Sequence, residues 1–201
     1  LKAKLRPYQN IGYQWLLCLL KAGLGALLAD DMGLGKTLQA LAAMLHLKEQ
    51  GLVSRVLIIA PLTVLGNWEE EIRKWTKGIS VHVHYGSGRS RDQETLTTVL
   101  DTADIIISTY HTLRRDIELF AKQKLDMLIL DEAQIMKNPK TAVSKALRRL
   151  EADYRLILTG TPMENRPLDL WTHFDLMNPG LLGTMKEFVS RYEKPIAAGD
   201  Y

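Results

Sequence analysis

The sequence holds one cysteine, Cys18, in 201 residues. A lone thiol can close no internal disulfide and build no zinc cluster, so a reducing compartment is the expected home. No apolar run is long enough to cross a bilayer; the longest, Trp15 to Ala29, is broken by Lys21, Gly23 and Gly25. Nothing at the N-terminus resembles a signal peptide. Charge of neither sign dominates, since 26 Lys and Arg face 23 Asp and Glu for a net +3. That balance neither requires nor excludes nucleic acid, and any site for it must be a local patch. Internal repeats, low-complexity runs and linker-like composition shifts are all missing. No third ligand at metal spacing joins His82 and His84, which read as surface residues of a short strand. What is present, 46% hydrophobic and 24% charged residues, excludes collagen, disorder and coiled coil. The length suits one large domain or two small ones. Opening at Leu1 without a methionine and stopping at Tyr201, the chain reads as a piece of a longer protein.

The positive signal is alternation. Short apolar runs occupy Leu24 to Ala29, Arg55 to Ala60, Asp104 to Ser108, Leu125 to Leu130 and Tyr154 to Thr159. Most lack polar alternation, which predicts strands covered on both faces. Between them lie segments of helical spacing: Ile11, Trp15, Cys18 and Leu19 on one face, then Leu38, Leu41, Ala42 and Leu45. Further on come Leu65, Trp68, Ile72 and Trp75, backed by Glu69, Glu70, Arg73 and Lys74, and later Leu113, Ile117 and Phe120. Strands alternating with helices predict an α/β fold, a mostly parallel sheet flanked by helices on both faces. Ligands of such sheets sit beyond the carboxyl ends of the strands, so chemistry is expected just after the apolar runs.

Three strand ends carry it. The first leads into Asp30-Asp31-Met32-Gly33-Leu34-Gly35-Lys36-Thr37 and then a helix. The strict phosphate-loop pattern has glycine where Asp30 stands. Gly33 and Gly35 still let backbone N–H groups approach phosphate oxygens, and the helix aims its positive end at the same anion. Lys36 reaches the β- and γ-phosphates, and Thr37 offers a hydroxyl to Mg²⁺. The bland alternative is a glycine turn with a solvated lysine. The second end is Asp131-Glu132-Ala133-Gln134. Asp131 suits the water shell of Mg²⁺, which needs only one or two carboxylates, and Glu132 is placed to orient an attacking water. Two acids here could instead cap the next helix. The third is Thr159-Gly160-Thr161-Pro162, a Gly-Pro turn when taken alone, whose hydroxyls could sense the γ-phosphate through the acids.

Together these segments resemble the first RecA-like lobe of a helicase superfamily two ATPase of the Swi/Snf family of double-stranded DNA translocases, over essentially the whole chain. Leu5-Arg6-Pro7-Tyr8-Gln9 resembles the family's adenine-recognition motif, which implies ATP contacts for Arg6, Tyr8 and Gln9. Asp30 to Thr37 resembles the first motif, implying cofactor contacts for Asp31, Met32, Gly33, Leu34, Gly35, Lys36 and Thr37. Pro61-Leu62-Thr63 and Thr109-Tyr110-His111 fall in segments that imply contact with one DNA strand through phosphates and without sequence readout. Asp131 to Gln134 resembles the acidic box, which implies catalysis by Lys36, Asp131 and Glu132, with Thr37 and Asp131 on the metal. Thr159, Gly160 and Thr161 resemble the coupling motif that works with position 134, and Glu164-Asn165 follow as in the family. Gln134 replaces the commoner histidine; it can still bond the threonines.

The resemblance implies a single RecA-like lobe over 1–201, with Mg²⁺ and ATP as cofactors and duplex DNA as partner. A second RecA-like lobe of the same protein would supply the arginine fingers, so this lobe alone is expected to be a poor ATPase. Its place would be intracellular, in the cytoplasm and nucleoid of a prokaryote or the nucleus of a eukaryote. The competing readings are an RNA helicase lobe of the same superfamily and a non-catalytic nucleotide-gated binding module. Arg89, Arg91, Arg114 and Arg115 read as solvated surface, Trp68 and Trp75 as core, and Glu70 with Lys74 as a weak helical pair.

Overall fold

The computed structural model describes residues 1–136, 138–163 and 166–199, apart from the side chain of Ile135. Glu164 and Asn165 therefore lie outside the described residues. In chain order the elements begin with α1 (Pro7–Lys21), β1 (Ala26–Leu28), α2 (Lys36–Glu49), β2 (Val56–Ala60), α3 (Leu62–Trp75) and β3 (Val81–His84). They continue with α4 (Gln93–Thr102), β4 (Ile105–Thr109), α5 (Tyr110–Arg115), α6 (Ile117–Phe120), β5 (Lys124–Leu130) and α7 (Ala142–Arg148). The last are β6 (Glu151–Leu158), α8 (Pro167–Met177), α9 (Met185–Phe188) and α10 (Lys194–Ala198).

Six strands form one sheet in the order β1-β6-β5-β2-β4-β3. Every pairing is parallel, with Leu28 opposite Leu158, Ile129 opposite Leu156, and Ile58 between Ile107 and Ile129. The period of two in a strand sends Val56, Ile58 and Ala60 to one face and Leu57 and Ile59 to the other. The first set packs with Leu16, Leu20, Leu41, Met44, Trp68 and Ile72 of α1, α2 and α3. The second packs with Leu96, Leu113, Phe120, Leu147 and Leu176 of α4 to α8. Both faces are covered, which is why the strand sequences are apolar without alternation. The polar ends of the strands all emerge on one edge.

Two expectations about helix and strand faces fail, for physical reasons. The stripe Ile11, Trp15 and Cys18 of α1 is exposed, with Ile11 at 68% and Trp15 at 47%. The helix buries Leu16, Leu17 and Leu20 instead, with Tyr13 partly covered, a stripe of equal periodicity one residue around the helix. α1 is apolar almost all round, so its neighbours α2 and β1 decide the face. The other failure is His84, which is fully buried on β3. Its Nδ1 accepts from the Ser90 N–H at 3.3 Å, which puts the proton on Nε2 for donation to Asp116 Oδ2 at 2.9 Å. Arg89 joins the same carboxylate at 3.2 Å and is mostly covered, so it is not a free basic side chain. On α3 the pair that closes is Glu69 with Arg73 at 2.6 Å, while Lys74 lies over the Trp75 ring.

Candidate nucleotide site at the strand ends

The loop after β1 is shaped by two left-handed residues, Gly33 at φ 82° and Gly35 at φ 79°. A side chain on Gly35 would collide with Gln9 Nε2 at 2.5 Å, whereas the space beside Gly33 is open. Gly35 is the N-cap of α2 and provides no side chain to cap it. The first-turn N–H groups of a 14-residue helix thus present their partial positive charge at the open side of the loop. Lys36 is buried at its root, and its ammonium donates to the Asp30 and Asp31 carbonyls at 2.7 and 3.0 Å. Thr37 follows, half-buried, and Asp31, Met32, Gly33 and Leu34 are exposed. Asp30 accepts from the buried Gln39 amide at 2.9 Å, so the residue that replaces the expected glycine braces the loop against α2.

The start of α1 is tied to this loop. Tyr8 donates its hydroxyl to the Leu34 carbonyl at 3.2 Å, and Gln9 Nε2 donates to the same oxygen at 3.1 Å. Gln9 Oε1 accepts the Arg6 N–H at 2.9 Å. One N–H and one lone pair of that amide remain for a ligand.

β6 lies next to β1 and β5 next to β6, so their end loops follow the glycine loop along the same side of the sheet. Asp131, after β5, is buried; its Oδ2 accepts from Trp68 Nε1 at 2.7 Å and its Oδ1 from the Glu132 N–H at 2.9 Å. Burial pushes its carboxyl above the usual aspartate value, a trend the Trp68 and Glu132 hydrogen bonds oppose; the charge of Glu132 adds to the rise and that of Lys36 works against it. Glu132 is the one non-glycine residue with positive φ among those described, at 50°. The Gln134 amide N–H donates to Glu132 Oε2, and Gln134 Oε1 accepts from Thr159 Oγ1 at 3.1 Å. Thr159 Oγ1 in turn accepts the Thr161 N–H at 3.1 Å. Gly160 runs beneath Met32, whose Cγ would lie 3.3 Å from a β-carbon there. A continuous polar chain therefore joins the loops after β5 and β6, and the loop after β1 lies against it. An uncapped helix end, a lysine ammonium, a threonine hydroxyl and two carboxylates are the groups that a magnesium triphosphate requires.

A family model described as the SNF2-related domain matches residues 8–201. The chain belongs to that family. It is 44% identical over 196 residues to the putative ATP-dependent helicase/translocase YwqA of Bacillus subtilis, covering 97% of this chain and 21% of the relative. It is 40% identical to the TATA-binding protein-associated factor MOT1 of Saccharomyces cerevisiae, over 98% of this chain and 11% of that protein. Among solved structures it matches the Sulfolobus solfataricus SWI2/SNF2 ATPase core in complex with dsDNA, with a TM-score of 0.91 and 42% identity. That match covers all of this chain and 41% of the Sulfolobus chain. The chain spans about a fifth or less of the two curated relatives.

The remaining SNF2-type segments lie farther along the same edge. Leu62 and Thr63 at the start of α3 are exposed and Pro61 is half-buried. At α5 only His111 of its segment is exposed. Thr109 caps the helix by accepting the Thr112 N–H at 3.1 Å, and Tyr110 is buried with its hydroxyl donated to the Asp131 carbonyl at 2.6 Å. The Thr109 and Tyr110 side chains are thus turned into the fold, and His111 is the exposed side chain of the segment. Sequence reasoning placed Trp68 in the core but missed its bond to Asp131. The signal was available: a buried indole N–H requires an acceptor, and α3 leaves the strand beside β5.

Proposed function

We propose that this chain is the nucleotide-binding lobe of an ATP-driven motor that moves along double-stranded DNA. The observation that carries the reading is the adjacency of β1, β6 and β5, which brings Lys36, Thr159 and the Asp131–Glu132 pair to one sheet edge. Lys36 and the N–H groups that open α2 would hold the β- and γ-phosphates, with Gln9, Tyr8 and Arg6 at the adenine end. Thr37 and Asp131 would hold Mg²⁺, which when bound neutralises charge that develops on the phosphoryl oxygens. Glu132 would orient the attacking water and accept its proton. Gln134 then reports the state of Glu132 to Thr159 and Thr161. Pro61 to Thr63 and His111 would face a phosphate backbone, and such contacts position without reading bases, as a motor requires.

The 201 residues act as one lobe on this reading, and a second lobe closes the cleft; the match to 41% of the Sulfolobus core supports it. Two measurements test the proposal in the full-length protein. Duplex DNA should stimulate ATP turnover more than RNA does; the reverse order would favour an RNA helicase. Lys36→Ala should weaken ATP binding by calorimetry at least tenfold, since charge-assisted bonds contribute about 1.5–3 kcal/mol. Unchanged affinity would remove the phosphate-loop role.

A further inference from the structure

Asp131 is gripped at every polar atom. Its N–H donates to the Ile59 carbonyl of β2 at 2.8 Å, and its carboxylate oxygens accept from Trp68 and from the Glu132 N–H. Its carbonyl accepts the Tyr110 hydroxyl at 2.6 Å. Two of these ties come from side chains with 0% and 5% exposure, Trp68 on α3 and Tyr110 on α5. Those two helices leave β2 and β4, and their first turns expose Leu62, Thr63 and His111 on the surface. Tyr110 is the residue next to His111, and Trp68 sits less than two turns into a helix rigid enough to carry a displacement along its axis. One tie fixes the main chain of Asp131 and the other its carboxylate, so a shift of either helix end must reorient the group.

We propose that Trp68 and Tyr110 are positioning residues that link the outer ends of α3 and α5 to Asp131, so that a duplex backbone on those ends and metal-nucleotide in the cleft bind cooperatively. The inference rests on the function proposed above. Linkage is reciprocal: the factor by which duplex tightens metal-nucleotide equals the factor by which metal-nucleotide tightens duplex.

The test uses full-length protein, Mn²⁺ with a non-hydrolysable ATP analogue read by electron paramagnetic resonance, and a short duplex. Wild-type protein should bind Mn²⁺-nucleotide more tightly when the duplex is present. Trp68→Phe and Tyr110→Phe keep an aromatic ring and remove the donor. Each should weaken Mn²⁺ binding about tenfold, as loss of partners around metal ligands does, and bring the duplex-dependent tightening close to onefold. Thermal melts by circular dichroism check folding, and if Trp68→Phe does not fold, Tyr110→Phe decides. Wild-type-like tightening in the folded variants overturns the inference, as does an absence of tightening in wild-type protein that binds both ligands. Wild-type protein that binds neither nucleotide nor duplex would take the proposed function down as well.

Discussion

Glu132 sits where the backbone resists a side chain. Its φ of 50° is a left-handed conformation that costs a residue other than glycine about 1–2 kcal/mol. The surroundings hold it there: Asp131 Oδ1 takes its N–H, and Gln134 takes its carboxylate. The geometry holds its carboxylate against the Gln134 amide at the expense of stability, and such local strain is common at functional sites. Replacement by glycine separates the two contributions. Glu132→Gly relieves the strain but adds roughly 0.5–1 kcal/mol of chain entropy to the unfolded state, so stability in denaturant should be unchanged or slightly higher. A loss above about 1 kcal/mol would make the Glu132–Gln134 contact a structural brace. Glu132→Gln preserves size and hydrogen bonding and removes the base. In the full-length protein it should bind ATP normally and stall, and normal turnover there would remove the catalytic role proposed for Glu132.

Elements show where sequence suffices and where neighbours decide. β2 and β4 were legible because every residue is apolar or small and both faces are covered. α3 was legible because one narrow stripe, Leu65, Trp68 and Ile72, is buried against charged residues opposite. α1 was not, since two apolar stripes of equal spacing compete and only the position of α2 and β1 selects Tyr13, Leu16, Leu17 and Leu20. β3 was hidden by its histidines. His84 reads as polar, yet Asp116, Ser90 and the Phe120 ring, T-shaped to it with centroids 5.0 Å apart, make a closed socket for the neutral ring. Burial lowers its pKa below 6.5, outweighing the Asp116 hydrogen bond and charge that raise it, while His82 and Arg89 act in the same direction as burial. The sign follows: the unfolded chain takes up the proton first, so stability is complete above pH 6.5 and is lost as pH falls below it. The limiting slope is about 1.4 kcal/mol per pH unit. Denaturant midpoints between pH 7 and 5 should fall less steeply in His84→Gln than in the parent, and parallel curves would exclude His84 as the source. A backbone contact is equally local. Gly25 exchanges hydrogen bonds with Asn178, and a β-carbon on it would meet the Met177 carbonyl at 2.7 Å. Gly25→Ala should therefore cost about 1–3 kcal/mol in denaturant, because a carbonyl in a helix cannot step aside as a side chain can.

At the scale of the molecule, the strand order determines what one lobe can and cannot do. Chain order scatters the chemistry over Lys36, Asp131 and Thr159, and the sheet order β1-β6-β5 gathers it on adjacent strands. The candidate strand-contact segments follow β2 and β4, so they fall beside the acids instead of behind them. On the proposed function, ligand grip and backbone contact would thus share one edge. Binding needs only this edge. Turnover needs charge stabilisation from the far side of the transferring phosphoryl group, and no arginine among the described residues is bonded into the Lys36–Asp131–Glu132 cluster. Arg55, Arg148, Arg149 and Arg155 are engaged with Asp101, Asp175, Glu118 and main-chain carbonyls elsewhere. An arginine supplied from outside accelerates phosphoryl transfer on the order of a thousandfold or more. Residues 1–201 alone should therefore retain nucleotide binding but hydrolyse ATP at least a thousandfold more slowly than the full-length protein, with no gain from duplex DNA. Steady-state phosphate release with and without duplex reads both quantities. Robust stimulated release by residues 1–201 alone would place the stabilising arginine within these residues, and the proposal that DNA acts by closing a two-lobed cleft would fall.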